Sequence, residues 1–108
     1  MSRTQSVALV VACVVVLGAP LHAMQYVVAQ KDQTFSTARL TVRVGDGVVF
    51  KNSDNVTHNV FSSTKGREFS GRAQAPGGAT EVVLKTEGIV EVTCAFHPKM
   101  KLIITVKR

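Results

Sequence analysis

Three side chains near the C-terminus, Cys94, His97 and Met100, set a thiol, an imidazole and a thioether three residues apart within TCAFHPKM. A second imidazole, His58, lies far upstream in THNV. Together they form a ligand set of mixed softness. Thiolate and thioether suit Cu(I), imidazole also suits Cu(II), and two His with one Cys and a weak axial Met make an electron-transfer copper site. With every position filled by protein, no place is left for a substrate, in contrast to catalytic metal sites.

Each residue also has a plainer reading. Cys94 alone fits a small buried hydrophobe, and His58 and His97 fit polar residues at a loop mouth. Met100 shares the parity of Leu102, Ile104 and Val106, so it also fits a core row. Asn59 fits a turn former. Asp46 and Gly47 read as structural turn residues, and Lys31, Lys51, Lys65 and Arg72 as solvated charges. Cysteine arithmetic favours the metal. Cys13 lies in an apolar N-terminal run, which leaves Cys94 without an internal partner. A lone thiol in an oxidising compartment oxidises or pairs between chains unless burial or a metal protects it.

The N-terminus sets that compartment. Met1 to Ala23 reads as a basic head, an apolar run from Val7 to Leu17, then Gly18, Pro20 and Ala23, the order of a secretory signal peptide cleaved after Ala23. An uncleaved anchor would want about 20 apolar residues, more than this run supplies before Pro20. VVAC at Val10 to Cys13 loosely resembles a lipoprotein box, with only Val7 to Ala12 before it. The expected organisation is a signal peptide over 1–23 and one small periplasmic domain over 24–108. Arg3 leaves with the leader, so 12 of the 13 basic residues face 7 acids and the net is +5. Spread charge of this kind suits acidic protein partners and long-range steering. No basic run points to nucleic acid, and Tyr26, Phe35, Phe50, Phe61, Phe69 and Phe96 offer no stacking platform for bases. The mature chain carries no membrane span and is expected to be a monomer.

The elements that must position the four donors are strands. Leu40, Val42 and Val44 alternate with Arg39, Thr41 and Arg43, a strand with one wet face. Gly45, Asp46 and Gly47 make a turn, after which Val48 to Lys51 resumes. Tyr26 to Ala29 is an earlier apolar run, and Thr57 to Ser62 a candidate strand after the polar turn NSDN. Ser62 to Thr80 is aperiodic and reads as a long connection anchored by Phe69. Glu81–Lys85 and Ile89–Cys94 flank a turn at Glu87 and Gly88, and Leu102, Ile104 and Val106 close the domain. No stretch carries a helical stripe. The pattern predicts an all-β sandwich, antiparallel or mixed.

Two separated motifs in order, VGDGVVFKNSDNVTHNV (Val44–Val60) and TCAFHPKM, resemble the cupredoxin, or blue copper, family. The short C-x-x-H-x-x-M spacing is similar to its amicyanin branch. The resemblance covers about Tyr26 to Lys107 and implies a Greek-key β-sandwich of about seven or eight strands with one copper ion. It implies His58, Cys94 and His97 as ligands and Met100 as the axial thioether. Asn59 would donate its backbone N–H to the cysteine sulfur, and its side chain would tie the two ligand loops together. Pro98 would stiffen the loop. The ring edge of His97 would be the electron port, surrounded by a partner-contact patch of Ala95, Phe96 and Pro98. Phe96 departs from a common proline, and Val90 and Val92 from common aromatics. Lys99 puts a positive charge beside the metal.

The expected function is electron transfer, with Cu(II) and Cu(I) alternating between a donor and an acceptor. The family resemblance makes a dehydrogenase and a c-type cytochrome the candidate partners. The alternative is a copper-delivery protein on the same fold, although Met- or His-rich tracts are missing. A metal-free interaction module leaves Cys94 unexplained. The chain shows no nucleophile–base motif or phosphate loop, which argues against an enzyme.

Overall fold

The computed structural model describes residues 23–108, so the leader read over 1–23 falls, but for Ala23, outside the described residues. Nine strands follow: β1 (Gln25–Lys31), β2 (Thr34–Phe35), β3 (Arg39–Arg43), β4 (Gly47–Asn52), β5 (Val60–Ser62), β6 (Phe69–Ser70), β7 (Ala79–Val83), β8 (Gly88–Cys94) and β9 (Lys101–Lys107). Among the described residues none is helical. The strands form one sheet in the order β2-β1-β4-β7 and another in the order β3-β9-β8-β5-β6. Both are mixed, because β1 runs parallel to β4 and β3 parallel to β9.

Alternation decides which residues turn inward. From the first sheet Val28, Val48 and Phe50 enter the core; from the second come Val42, Val60, Val90, Val92, Leu102, Ile104 and Val106. Period-two side chains place each of these sets on one face of its strand. Phe50 is the central ring of this layer. Phe35 meets it edge-on at 6.1 Å, and Phe69 stacks on it at 6.4 Å. Phe69 therefore anchors the long connection as expected, and does so from a strand, β6, that pairs with β5.

Towards one end the inward row becomes polar. Gln30 on β1 and Asn52 on β4 are register partners, and both are fully buried. Buried amides of this kind must find hydrogen-bond partners. Their partners lie in the segments around His58.

The turns differ from a simple hairpin reading. β3 and β4, joined by Val44–Asp46, belong to different sheets, as do β7 and β8. The first turn crosses the sandwich because Asp46 holds it from within. Its carboxylate accepts the N–H groups of Met24 and Arg43, both at 2.8 Å. Those N–H groups, Arg43's first, hold its carboxyl below the usual carboxylate range. Gly45 has φ 97°, a left-handed conformation that glycine adopts without a Cβ penalty.

Candidate metal centre

The second sheet brings the donors together. β5 and β8 are antiparallel, with Val60 opposite Cys94 and Phe61 opposite Thr93. His58, two residues before Val60, shares its parity and comes to lie beside the chain leaving Cys94. That chain turns tightly. The N–H of His97 donates to the carbonyl of Cys94 at 3.2 Å, and the N–H of Met100 to that of His97 at 2.9 Å. β9 then begins at Lys101. Spacing three residues apart thus becomes one compact loop between two paired strands.

His58 and Cys94 are buried and His97 is partly exposed. The Cys94 Sγ lies 3.6 Å from His58 Nδ1 and 3.7 Å from His97 Nδ1. All three donor atoms fall within 4.8 Å of one another. A point equidistant from them would be about 2.1–2.4 Å from each, close to the bond lengths of a first-row metal to imidazole nitrogen and thiolate sulfur. The two rings meet edge-on with centroids 4.8 Å apart. Met100 is 2% exposed and continues the inward row of Leu102, Ile104 and Val106, so its core parity and its place at the loop's foot coincide.

The surroundings orient these groups. The N–H of Asn59 donates to Cys94 Sγ at 3.3 Å. The expected side-chain tie differs. Asn59 Oδ1 is buried without a partner, and the second link is again backbone, from Ala95 N–H to the Asn59 carbonyl at 3.0 Å. The peptide groups of Asn59 bond to Cys94 and Ala95, so the main chain makes the connection.

Asp54 is a residue that sequence reading passed over as part of a polar turn. Its Oδ2 is 2.9 Å from His58 Nε2. The same carboxylate accepts the N–H groups of Asp32 and Gln33, each at 2.9 Å. Those two residues have φ of 52° and 56° at the tight turn between β1 and β2. With Nε2–H donating to a carboxylate, Nδ1 of His58 keeps its lone pair for the side facing Cys94. The Gln33 N–H and then His58 pull the Asp54 carboxyl down to about 2.

A lowered carboxyl contributes stability that is complete above the ordinary value of about 4 and is lost as pH falls through the folded value. Asp54→Asn in the metal-free protein should therefore flatten the fall in melting temperature between pH 4 and pH 2. Parallel melting curves for variant and wild type over that window would contradict the assignment.

Ala95, Phe96, Pro98 and Lys99 are exposed around His97, Phe96 by 55%. With Asp32, Gln33 and Thr34 opposite, Phe96 to Lys99 line an open groove at the rim of the donor cluster.

Sequence comparison matches residues 22–107 to the family of copper binding proteins described as plastocyanin/azurin. The chain is a cupredoxin. Among solved structures it resembles a purple cupredoxin from Nitrosopumilus maritimus, with 26% identity and a TM-score of 0.68 over 76% of this chain and 99% of that one. A reduced amicyanin carrying a proline-to-phenylalanine substitution is 25% identical, with a TM-score of 0.69 over 84% of this chain and 88% of that one. A copper-containing nitrite reductase from Thermus scotoductus SA-01 shares the fold at 24% identity and a TM-score of 0.73 over 84% of this chain. Only 24% of the reductase chain is spanned. No curated protein matches the sequence.

The cofactor of this cupredoxin is copper. The donor chemistry fits it: a buried thiol and two imidazole nitrogens converge, and a backbone N–H is already aimed at the sulfur.

Proposed function

We propose that this cupredoxin is an exported one-electron carrier whose type 1 copper would be held by His58, Cys94 and His97, with Met100 as a weaker fourth donor. The observation that carries the reading is the convergence of two imidazole Nδ1 atoms on one buried thiol, at 3.6 and 3.7 Å. When bound, copper supplies the one-electron Cu(II)/Cu(I) couple. The protein holds the donors in place from behind, with Asp54 on one ring and the Asn59 N–H on the sulfur. Prearranged donors limit rearrangement between oxidation states. His97 lies partly exposed among Ala95, Phe96 and Pro98, which gives a short path from the donor cluster to a docked partner. Redox encounter interfaces are small and short-lived, and an apolar rim of this size suits one.

In this reading residues 1–23 direct export to the periplasm and are removed. The partners are acidic redox proteins, a dehydrogenase or a c-type cytochrome by family resemblance. A net charge of +5 over residues 24–108 should make association with an acidic partner fall as salt rises, since screening shortens the reach of surface charge to about 8 Å at physiological ionic strength. A rate independent of salt would remove the electrostatic part of the proposal.

The deciding experiment is a visible spectrum of residues 24–108 titrated with Cu(II), then reduced and reoxidised. An intense band that bleaches and returns is the expected result. Binding of Cu(I) without such a band would replace electron transfer with copper delivery. Met100→Ala should leave copper bound while changing the spectrum and raising or lowering the potential; an unchanged spectrum and potential would exclude the axial role.

A further inference from the structure

His58 does not sit in a regular strand. Between β4 and β5 the chain is irregular, and the backbone of His58 is held by a single isolated bridge to Gln74. Both hydrogen bonds of that bridge are made. His58 N–H donates to the Gln74 carbonyl at 3.1 Å, and Gln74 N–H to the His58 carbonyl at 2.6 Å. What fixes the main chain of His58 therefore includes whatever fixes Gln74.

Gln74 lies in the long polar connection between β6 and β7, yet it is buried where its neighbours Ala73 and Ala75 are exposed. Its carboxamide reaches three strands of the first sheet. Nε2 donates to the Phe50 carbonyl on β4 at 3.0 Å and to Thr80 Oγ1 on β7 at 2.8 Å. Oε1 accepts from Gln30 Nε2 on β1 at 2.8 Å. Asn52 Nδ2 adds a bond to the Gln74 carbonyl at 3.0 Å. This explains the polar end of the core row: Gln30 and Asn52 turn inward to meet Gln74. Every polar atom of the Gln74 carboxamide is bonded, while Gln30 Oε1 is buried without a partner; removing a member of such a network leaves costly unpaired groups.

We infer that Gln74 is a positioning residue for the metal centre, a buried clamp that transmits the rigidity of the first sheet to His58, although Cys94 belongs to the second and His97 to the loop that leaves it. The inference rests on His58 being a copper ligand, as proposed above. Asp54 sets the ring of His58 from the side, while Gln74 sets its main chain. The donor triangle is thus held by both halves of the sandwich.

Gln74→Met keeps much of the volume and removes all three carboxamide bonds. Val106→Ala, at the end of β9 remote from the ligand loop, serves as a core control. The copper-loaded wild type and both variants are compared by copper hyperfine splitting, reduction potential and loss of copper to a chelator. Gln74→Met should bind copper about tenfold more weakly in competition with the chelator, in the range seen when a group supporting a ligand is removed. It should also shift the hyperfine splitting and potential, while Val106→Ala leaves all three at the wild-type values. Identical behaviour of the two variants would overturn the inference and reduce Gln74 to a core residue. A wild type without the intense band would instead defeat the copper-carrier reading itself.

Amide hydrogen exchange of the metal-free wild type tests the clamp without any variant. The His58 and Gln74 amides should be as protected as those of β8. Exchange as fast as in an exposed loop would overturn the inference even if Gln74→Met does not fold.

Discussion

Cys94→Ser is expected to abolish the intense visible band of the copper-loaded protein and to weaken copper binding. The sulfur is the one soft, ionisable donor in the cluster, 3.6 and 3.7 Å from the two imidazole nitrogens. A serine hydroxyl stays protonated near neutral pH and is a hard, weak donor, so it replaces neither the charge nor the softness of thiolate. The Asn59 N–H that now points at the sulfur would face a smaller oxygen, further from it. Absorption spectra of the Cu(II)-titrated variant check this directly. A variant that stays intensely coloured would show that the thiolate is not the source of the band, and the metal assignment would fall with it.

The largest effect on stability is expected at Phe50. It is fully buried, and its ring is contacted by Phe35 from one strand and Phe69 from another. Removing such a ring costs transfer free energy and leaves a cavity, about 3–5 kcal/mol for Phe→Ala. Whole domains are stable by only about 5–15 kcal/mol, so Phe50→Ala should bring the metal-free protein close to unfolding at room temperature. Urea denaturation measures the loss. The Phe50 carbonyl also receives Gln74 Nε2, so collapse around the cavity would reach the segment that carries His58. A loss below about 1 kcal/mol would mean that the neighbouring rings fill the space and that the core is not organised around Phe50.

Most strands were legible because period-two alternation records burial on one face. β3, β4, β8 and β9 follow the apolar rows closely. β6 was hidden in a polar stretch, since two residues have no period to read. The sheet to which a strand belongs was hidden as well. Val44–Asp46 looks like a local turn in sequence, and only the position of β9 beside β3 shows that it crosses between layers.

At the site, the C-x-x-H-x-x-M spacing was readable because one tight loop holds all three residues. Asp54 and Gln74 were not. One sits in a polar turn and the other in an aperiodic connection, and their value comes from contacts to β1, β4 and His58 that no local pattern encodes. The Asn59 N–H meets the Cys94 sulfur, and a second main-chain bond, from Ala95 to the Asn59 carbonyl, joins the two segments, contacts that the sequence alone does not distinguish from a turn.

The place of β9 has a consequence for how the molecule comes into being. It is the last of the nine strands in chain order, yet it lies inside its sheet, parallel to β3 on one side and antiparallel to β8 on the other. Until it docks, β3 and β8 lack a shared neighbour and the loop bearing His97 and Met100 has no second wall. Such long-range pairing is slow because chain closure precedes the contacts that reward it. Until β9 arrives, the donors, all of which precede it in the chain, therefore lack one wall of the finished sandwich.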